Sequence, residues 1–233
     1  MKLTKTILMA FAAMLSVGMV SCNKEEIKEI DNPGGEKWVN LGLPSGLLWA
    51  KSNLGANAPE EYGDYYAWGE TQTKEVYFWN TYRYCTVDEN GYLKTLTKYN
   101  TSSTYGTIDN LTTLEGVDDA ASARLGSGAR TPTKEEWEEL VANTSVVWTT
   151  VNGVKGRLFT ATNGNTLFLP AAGCRYGSEL RDLGLGGSYW SSSLCSDSPN
   201  NAWGFYFNPN AQGMDGNNGR RYGQSVRPVR SAQ

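Results

Sequence analysis

Two closely spaced Asn-Gly turns in the second half of the chain limit its fold more than any other sequence feature. Residues 147–151 are β-branched or aromatic and lead directly into Asn152-Gly153, a dipeptide typical of tight hairpins. Residues 157–162 form a second strand-like run, and residues 163–165 supply another turn before a short run at 166–169. Strands joined by such short turns pair antiparallel. We therefore predict a small antiparallel sheet here.

Other short apolar runs predict further strands. The two apolar runs around Pro44-Ser45-Gly46 are typical of a hairpin. Trp203, Phe205 and Phe207 alternate with smaller or polar residues and are predicted to point inward from one strand. Strands are also predicted over residues 189–193 and 224–230. The polar stretch 86–116 is predicted to be a long irregular insertion, apart from a turn at Asn90-Gly91.

Two helices are predicted in the part of the chain that precedes the two Asn-Gly turns. Thr133 and Glu136 have the spacing of a capping box, and Trp137, Leu140 and Val141 then fall on one helical face. The glutamates on the opposite face are interpreted as solvated rather than as a catalytic pair. A shorter helix is predicted over residues 118–125, ended by a glycine. These elements predict an α+β fold of small antiparallel sheets, about two helices and long irregular loops.

The first 22 residues have the composition of an export signal. Two lysines precede an uncharged apolar run over residues 7–20, which is shorter than the about 20 residues that a membrane-spanning helix needs. The run ends at Ser21 and Cys22, which resemble a bacterial lipobox, although Met19 departs from the usual leucine. We predict a signal peptide over residues 1–21 and a lipid anchor on Cys22 that attaches the protein to a membrane. The alternative is a plain secretory signal with an incidental cysteine.

Residues 22–36 are predicted to be a flexible, acylated tether. They are charged, poor in apolar residues and contain Pro33-Gly34-Gly35 near their end. Lys24, Glu25 and Glu26 directly follow the cysteine and resemble the surface-export signal of Bacteroidota lipoproteins. That resemblance implies an outer-membrane protein that faces outward. An ordinary charged linker would look much the same.

The composition excludes several kinds of chemistry. The chain has no histidine, which excludes Ser-His and Cys-His catalysis and histidine-ligated metals. Its net charge of −3 gives no indication of a nucleic-acid partner. A disulfide would most plausibly join Cys174 and Cys195, but the favoured interpretation leaves these two and Cys85 free. We predict no cofactor, no metal site and no enzymatic activity.

Several motifs resemble known families. Residues 130–140, RTPTKEEWEEL, resemble the Arg-x-Pro-Thr-x-x-Glu-Trp helix of the formylglycine-generating-enzyme branch of the C-type lectin fold. Five segments resemble the Fibrobacter-type major paralogous domain of Bacteroidota lipoproteins: VNLGLPSGLLWA at 39–50, GDYYAWGE at 63–70, LPAAG at 169–173, YWSS at 189–192 and SVRPV at 225–229. The resemblance implies that residues 37–233 form one C-type-lectin-like domain with paired terminal strands.

The activities found elsewhere in that fold are not implied. Its copper-dependent enzymes use a closely spaced cysteine pair, which Cys174 and Cys195 do not match. Its calcium-dependent lectins carry a Glu-Pro-Asn type motif and a Trp-Asn-Asp triplet, whereas this chain has Trp190-Ser191-Ser192. Neither copper oxidation nor calcium-mediated sugar binding is therefore predicted.

Residues 173–223 have the composition of a contact surface. No lysine follows Lys155, while tyrosine, arginine, serine, glycine and asparagine are frequent, as in antibody paratopes. The predicted scaffold residues are Trp190, Trp203, Phe205, Phe207 and Met214. The predicted ligand-binding residues are Tyr176, Arg181, Asp182, Leu185, Leu194, Asp197, Gly204, Tyr206, Asp215, Asn217, Asn218, Arg221 and Tyr222.

The same segment resembles the variable region of proteins that are diversified by diversity-generating retroelements. These elements replace adenines, and a randomised AAC codon can yield every residue type in the predicted contact set but never Trp, Met, Gln, Glu or Lys. The alternative is a glycine-rich loop region that only caps the sheet. Absence of a template repeat and a reverse-transcriptase gene near this gene would contradict diversification.

The predicted function is a surface-anchored, non-enzymatic protein that binds an unidentified protein or glycan, as an adhesin does. Its partners would be a membrane, through Cys22, and that ligand, but no nucleic acid. Two alternatives from other classes are an oxidoreductase related to formylglycine-generating enzymes and a structural subunit of a surface assembly.

Overall fold

The computed structural model describes residues 37–126 and 128–232, so the predicted signal peptide, Cys22 and the tether lie outside the described residues. The α-helices are α1 Ala120–Leu125 and α2 Lys134–Ala142, and short 3-10 turns cover Trp79–Thr81 and Ser103–Tyr105. The strands are β1 Trp38–Asn40, β2 Leu47–Ala50, β3 Cys85–Val87, β4 Leu93–Leu96, β5 Thr144–Val151, β6 Val154–Ala161, β7 Thr166–Pro170, β8 Cys174–Tyr176, β9 Glu179–Arg181, β10 Gly187–Leu194, β11 Asn201–Phe207, β12 Gln212–Gly219 and β13 Val229–Ser231.

These strands form small antiparallel sheets. Their orders are β1-β2-β13, β3-β4, β5-β6-β7, β8-β9 and β10-β11-β12. Every pair of neighbouring strands in them runs antiparallel. The predicted α+β class, with small antiparallel sheets and two helices, is confirmed.

The meander β5-β6-β7 forms around the predicted turns. Asn152 and Gly153 have φ values of 46° and 81°, the left-handed backbone that a type I′ hairpin turn requires. The first two strands begin earlier than predicted, at Thr144 and Val154. Their pairing is continuous from Thr144 opposite Ala161 to Val151 opposite Val154. The half-buried Thr144 and the exposed Ser145 at the start of β5 carry no hydrophobic signal that would have marked this extension.

Both helices have the caps that their sequences indicate. In α2, Glu136 N–H donates to the Thr133 hydroxyl at 3.3 Å, and the Glu136 carboxylate accepts from Thr133 N–H at 2.8 Å. Trp137 and Leu140 are fully buried, while Val141 is half-buried. In α1 the cap is Asp119, so this helix is two residues shorter at its start than predicted.

The sheet β10-β11-β12 lies between two hydrophobic clusters. Trp137, Phe205 and Tyr189 belong to the cluster that α2 covers. Trp190, the next residue along β10, belongs to the other cluster with Trp68. Neighbouring residues of a strand point to opposite faces, so both faces of this sheet are covered near the strand centres. Side chains of this sheet therefore reach solvent mainly at the strand ends and along the edge strand β12.

Trp203 does not point inward with Phe205 and Phe207, which corrects the sequence prediction. The ladder between β11 and β12 shifts register between Ala202 and Gly204, a β-bulge that breaks the regular alternation of side chains. Ala202 and Gly204 are consequently buried, and Trp203 is half-exposed.

Two further predictions about strands are corrected. The stretch 86–116 is not wholly irregular, because β3 and β4 form a hairpin whose loop contains Asn90 and Gly91. The last strand does not run over 224–230. Gln224 and Ser225 make only isolated bridges, and the continuous strand β13 starts after Pro228, which has no N–H to donate.

A buried carboxylate, Asp118, connects three side chains near α1. It accepts hydrogen bonds from the Lys98 ammonium at 2.6 Å, from the Tyr99 hydroxyl at 2.7 Å, and from the Tyr84 hydroxyl. Burial alone would raise the pKa of Asp118, but these three donors together hold it below its usual range. Burial and the bond to Asp118 raise the pKa of Tyr84 to about 12.

We expect the Asp118→Asn variant to lose stability in a pH-dependent way. A carboxylate with a lowered folded-state pKa stabilises the fold above its unfolded value of about 3.9, and this contribution disappears as the pH falls through the folded value. At pH 7 the variant should be about 2–3 kcal/mol less stable, because it loses charged hydrogen bonds and leaves Lys98 without this partner. Urea unfolding would measure the difference in unfolding free energy between the wild type and the variant, which should be smaller at about pH 3 than at pH 7. Glu89→Gln, at an exposed position, is the control, and an equal loss at both pH values would contradict the assignment.

Candidate ligand-binding surface

Three backbone segments meet at the hairpin β8-β9. Tyr77 N–H donates to the Gly177 carbonyl at 2.9 Å, and Gly177 N–H donates back at 3.3 Å. On the other side, Arg175 N–H donates to the Gly223 carbonyl at 2.7 Å and Gly223 N–H donates back at 3.0 Å. The segments that carry residues 77–81 and 221–223 are therefore fixed to the hairpin by paired backbone hydrogen bonds, which hold their side chains in place.

The side chains on these segments form a continuous group that we call the aromatic–arginine surface. Its members are Phe78, Trp79, Tyr176, Arg181, Arg221 and Tyr222. The Tyr176 ring lies 5.9 Å from Phe78 and 5.3 Å from Tyr222, measured between ring centroids. The Arg181 guanidinium lies 4.3 Å from the Tyr176 ring. The Arg221 guanidinium lies 4.8 Å from the Trp79 ring and 4.6 Å from that of Tyr222.

The two arginines differ in their charge partners. Arg181 donates from Nε at 3.1 Å and from Nη2 at 2.8 Å to the same oxygen of Glu179. Within the described part of the chain, Arg221 has no ion pair, and its one side-chain hydrogen bond is a long contact of 3.3 Å to the Tyr222 hydroxyl. Stacking on aromatic faces leaves the N–H groups at the edge of a guanidinium free to bind an acceptor. Arg221 is therefore the residue best prepared for a ligand.

Glycines allow the close packing of this surface. Gly177 has a φ of 61°, and a Cβ at this position would lie 2.6 Å from the Phe78 ring. A Cβ on Gly219 would lie 2.9 Å from Nη1 of Arg221 and 3.3 Å from the Tyr222 ring. Larger residues at either place would displace the side chains that form the surface.

Comparisons with known proteins give no further guidance. No family model, no curated protein and no solved structure matches this chain. In the part of the chain that the structure describes, no helix is long and apolar enough to cross a membrane, and no group of three or more acidic or cysteine side chains is arranged to hold a metal ion. The functional interpretation therefore depends on the geometry of the surface.

Four of the thirteen predicted ligand-binding residues belong to the aromatic–arginine surface: Tyr176, Arg181, Arg221 and Tyr222. A second group lies on β11 and β12, where Gly204 pairs in register with Asp215 and the Asn218 amide donates to the Asp215 carbonyl at 2.8 Å. Asn217 N–H donates to the Asp215 carboxylate at 2.9 Å, and Tyr206 is 38 % exposed near the end of β11. These residues belong to the sheet β10-β11-β12 and not to the aromatic–arginine surface.

Two of the predicted binding residues are corrected. Leu194 is buried in the same hydrophobic cluster as Trp190, although the register of β10 shifts between the two residues. Gly204 is buried beneath Gln224, whose side-chain oxygen would lie 3.0 Å from an added Cβ. Neither residue presents a side chain to a ligand, and diversification at these two buried positions would disturb packing.

The remaining predicted residues lie apart from the aromatic–arginine surface. Asp182 has a φ of 57°, and its carbonyl accepts from Leu185 N–H at 2.9 Å, so both residues belong to a tight turn after β9. Leu185 is exposed on that turn. Asp197 is exposed in the loop between β10 and β11.

Two members of the surface were not predicted from the sequence. Phe78 and Trp79 belong to an aromatic run over residues 77–84, and such a run is more typical of core and loop packing than of a ligand site. Tyr77, Tyr82 and Tyr84 are indeed buried, but Phe78 is 42 % exposed and Trp79 is half-buried. The run has neither a strand nor a helix period, so no pattern separates its buried members from its exposed ones.

Proposed function

We propose that this protein is a lipid-anchored, non-enzymatic binding protein whose contact site is the aromatic–arginine surface. The observation that carries the proposal is Arg221, which is stacked on two aromatic rings without a carboxylate partner in the described chain. Tyr, Trp and Arg contribute most of the binding energy at many protein interfaces. Tyr and Trp offer large contact areas at a low entropic cost, and Arg adds charged hydrogen-bond donors. The ligand would be a protein or a glycan that accepts hydrogen bonds from Arg221.

We also propose a C-type-lectin-like fold related to the Fibrobacter-type major paralogous domain. The pairing of β2 with the last strand β13 supports this, because that fold has paired terminal strands. The buried positions of Trp137, Trp190 and Arg227 support it further, since each lies in one of the motifs that carry the resemblance.

The cysteines favour binding over an oxidase-like activity. Cys85, Cys174 and Cys195 are free thiols. Burial, reinforced by the nearby charge of Asp182, raises the pKa of Cys174, although Arg181 opposes the shift. Burial likewise raises the pKa of Cys85. A raised pKa reduces the thiolate fraction, and the thiolate is the form that binds metals and attacks substrates.

The proposal is tested by binding to arrays of glycans and of cell-surface proteins, probed with the full chain in detergent. We expect a specific signal that weakens at least about 30-fold in the double variant Arg181→Gln/Arg221→Gln, because the two arginines together should contribute at least about 2 kcal/mol. Arg83→Gln is the matched control, since its guanidinium also lies over a tyrosine ring, at 5.1 Å, but outside the surface. Equal binding by the double variant and the control would refute the assignment of this surface.

The anchor is tested by the Cys22→Ser variant. The wild-type chain should incorporate radiolabelled palmitate and sediment with outer membranes, because several buried acyl chains make attachment effectively stable. The variant should lose the label and become soluble after export. Protease treatment of intact cells should digest the wild-type protein if it faces outward. A labelled Cys22→Ser variant would show that the lipid is attached elsewhere or that the label is not specific.

A further inference from the structure

A second candidate binding site, which shares no residue with the aromatic–arginine surface, lies where the first and last strands meet α1. A pocket of about 330 Å³ opens there between β1, the loop 52–57 and the C-terminal end of the helix. Trp38, Leu54, Leu125 and Pro228 provide apolar walls, and Lys37 and Arg230 lie at the same pocket. This volume is within the range of small-molecule sites, which combine apolar walls with few polar groups.

The charged residues that line the pocket are all positive. Among the residues that the structure describes, its lining contains Lys37 and Arg230 and no aspartate or glutamate. By contrast, the pocket of about 410 Å³ beside Arg175 is lined by residues of both signs, including Asp64 and Glu75. Because its lining carries no acid of its own, the pocket between β1 and α1 is the one whose charge would attract an anion.

Within residues 37–126 and 128–232, the carboxylates near the pocket form no ion pair with Lys37 or Arg230. Glu61 accepts from the Asn57 N–H at 2.7 Å. Asp64, which packs against Gly55 of the pocket lining, is paired with Arg124 at 3.6 Å. Both acids are therefore engaged with groups other than the two cations of the pocket.

Arg230 is held in place but has no polar partner for its side chain in the described chain. Its guanidinium lies 4.6 Å from the Trp38 ring. Its Nε atom is buried without a hydrogen bond, which is an unusual state for a charged group. A guanidinium that stacks on a ring keeps the planar fork with which arginine binds carboxylates and phosphates. Arg230 thus resembles a binding group whose acceptor is not among the described residues.

We propose that this pocket binds a small organic anion, with an apolar body against Trp38 and one carboxylate or phosphate group on Arg230. Lys37 adds a second, more exposed positive charge at the same side. The apolar walls distinguish such a ligand from a simple inorganic anion, and the two cations distinguish it from a neutral one. The site is separate from the aromatic–arginine surface and does not depend on the function proposed for it.

Calorimetric titration of the full chain in non-ionic detergent tests the ligand class. The probes are phenyl phosphate and phenylacetate, compared with inorganic phosphate and benzyl alcohol. We expect at least one of the first two to bind about tenfold more tightly than either comparison compound, since the apolar body and the charge both contribute. Equal affinities for all four compounds, or no binding at millimolar concentration, would overturn the proposal.

Three variants test the location. Arg230→Gln should weaken binding of the preferred probe about tenfold by removing the charged donors. Asn57→Asp changes one exposed lining residue to an acid of the same shape and should weaken it about fivefold through repulsion, even if Arg230→Gln fails to fold. Arg181→Gln, on the aromatic–arginine surface, should bind as the wild type does. Wild-type affinity in Asn57→Asp, or a loss in Arg181→Gln equal to that in Asn57→Asp, would contradict this location.

Discussion

The Arg227→Met variant is expected to unfold with a free energy about 3–5 kcal/mol below that of the wild type. Arg227 is fully buried and donates to Asn53 Oδ1 at 2.9 Å and to the carbonyls of Ala50 at 3.1 Å, Phe168 at 3.0 Å and Lys51. Methionine fills a similar volume but donates nothing, so these acceptors would lose a buried partner.

The expected loss of stability comes from the hydrogen bonds of Arg227 and not from an ion pair. Burial lowers the pKa of Arg227 to about 10, so the group remains protonated near neutral pH without a carboxylate beside it. Backbone carbonyls from two separate segments, together with the Asn53 side chain, stabilise the cation instead. Arg227→Lys should therefore recover only part of the stability, because an ammonium cannot reach all of these acceptors from one position.

Urea unfolding monitored by circular dichroism measures this effect. Arg83→Met is the control, because Arg83 is exposed and a change there should stay within about 0.5 kcal/mol. Should Arg227→Met prove as stable as Arg83→Met, the carbonyl acceptors would have to be satisfied by other groups. The role assigned to Arg227 would then be wrong.

The Trp137→Ala variant is expected to lose about 3–5 kcal/mol, the cost of deleting a large buried aromatic side chain. The Trp137 ring lies 4.9 Å from Trp49, 4.9 Å from Phe205 in a stacked arrangement and 5.9 Å from Tyr189. Its Nε1–H donates to the Trp190 carbonyl at 3.2 Å. The residue therefore joins α2 to β2 and to the central sheet, and its loss would leave a cavity among all three.

Trp203→Ala provides the comparison for Trp137→Ala. Trp203 is half-exposed and packs beneath Lys134, whose ammonium lies 4.4 Å from its ring, so its removal should cost only about 1–2 kcal/mol. Thermal and urea unfolding would measure both variants. Equal losses, or a larger one for Trp203→Ala, would contradict the packing described for the two tryptophans.

Features that depend on neighbouring residues could be predicted from the sequence. The capping box of Thr133 and Glu136 and the turn at Asn152 and Gly153 each require only a few consecutive residues with the right side chains or backbone freedom. The stripe of α2 could also be predicted, since the helical period alone places Trp137 toward the interior.

Features that depend on distant residues could not be predicted in the same way. Arg220 and Arg227 are fully buried although charged residues usually remain exposed, and most of their acceptors are main-chain carbonyls that no side-chain pattern reveals. Leu194 and Gly204 were assigned to the binding face by composition, which contains no information about burial. Phe78 joins Tyr176 only because a backbone bridge connects segments far apart in the chain.

The pairing of β2 with β13 has a consequence for how the protein acquires its structure. Trp49 stands opposite Val229, close to the two ends of the described chain, and Arg130 also bridges to Val229. Such non-local contacts slow folding, because a long loop must close before they form. During synthesis, the first hairpin has to wait for nearly the entire domain to emerge before its partner strand arrives. The sheet β1-β2-β13 is therefore completed late, whereas the hairpin β5-β6 can close locally around Asn152 and Gly153.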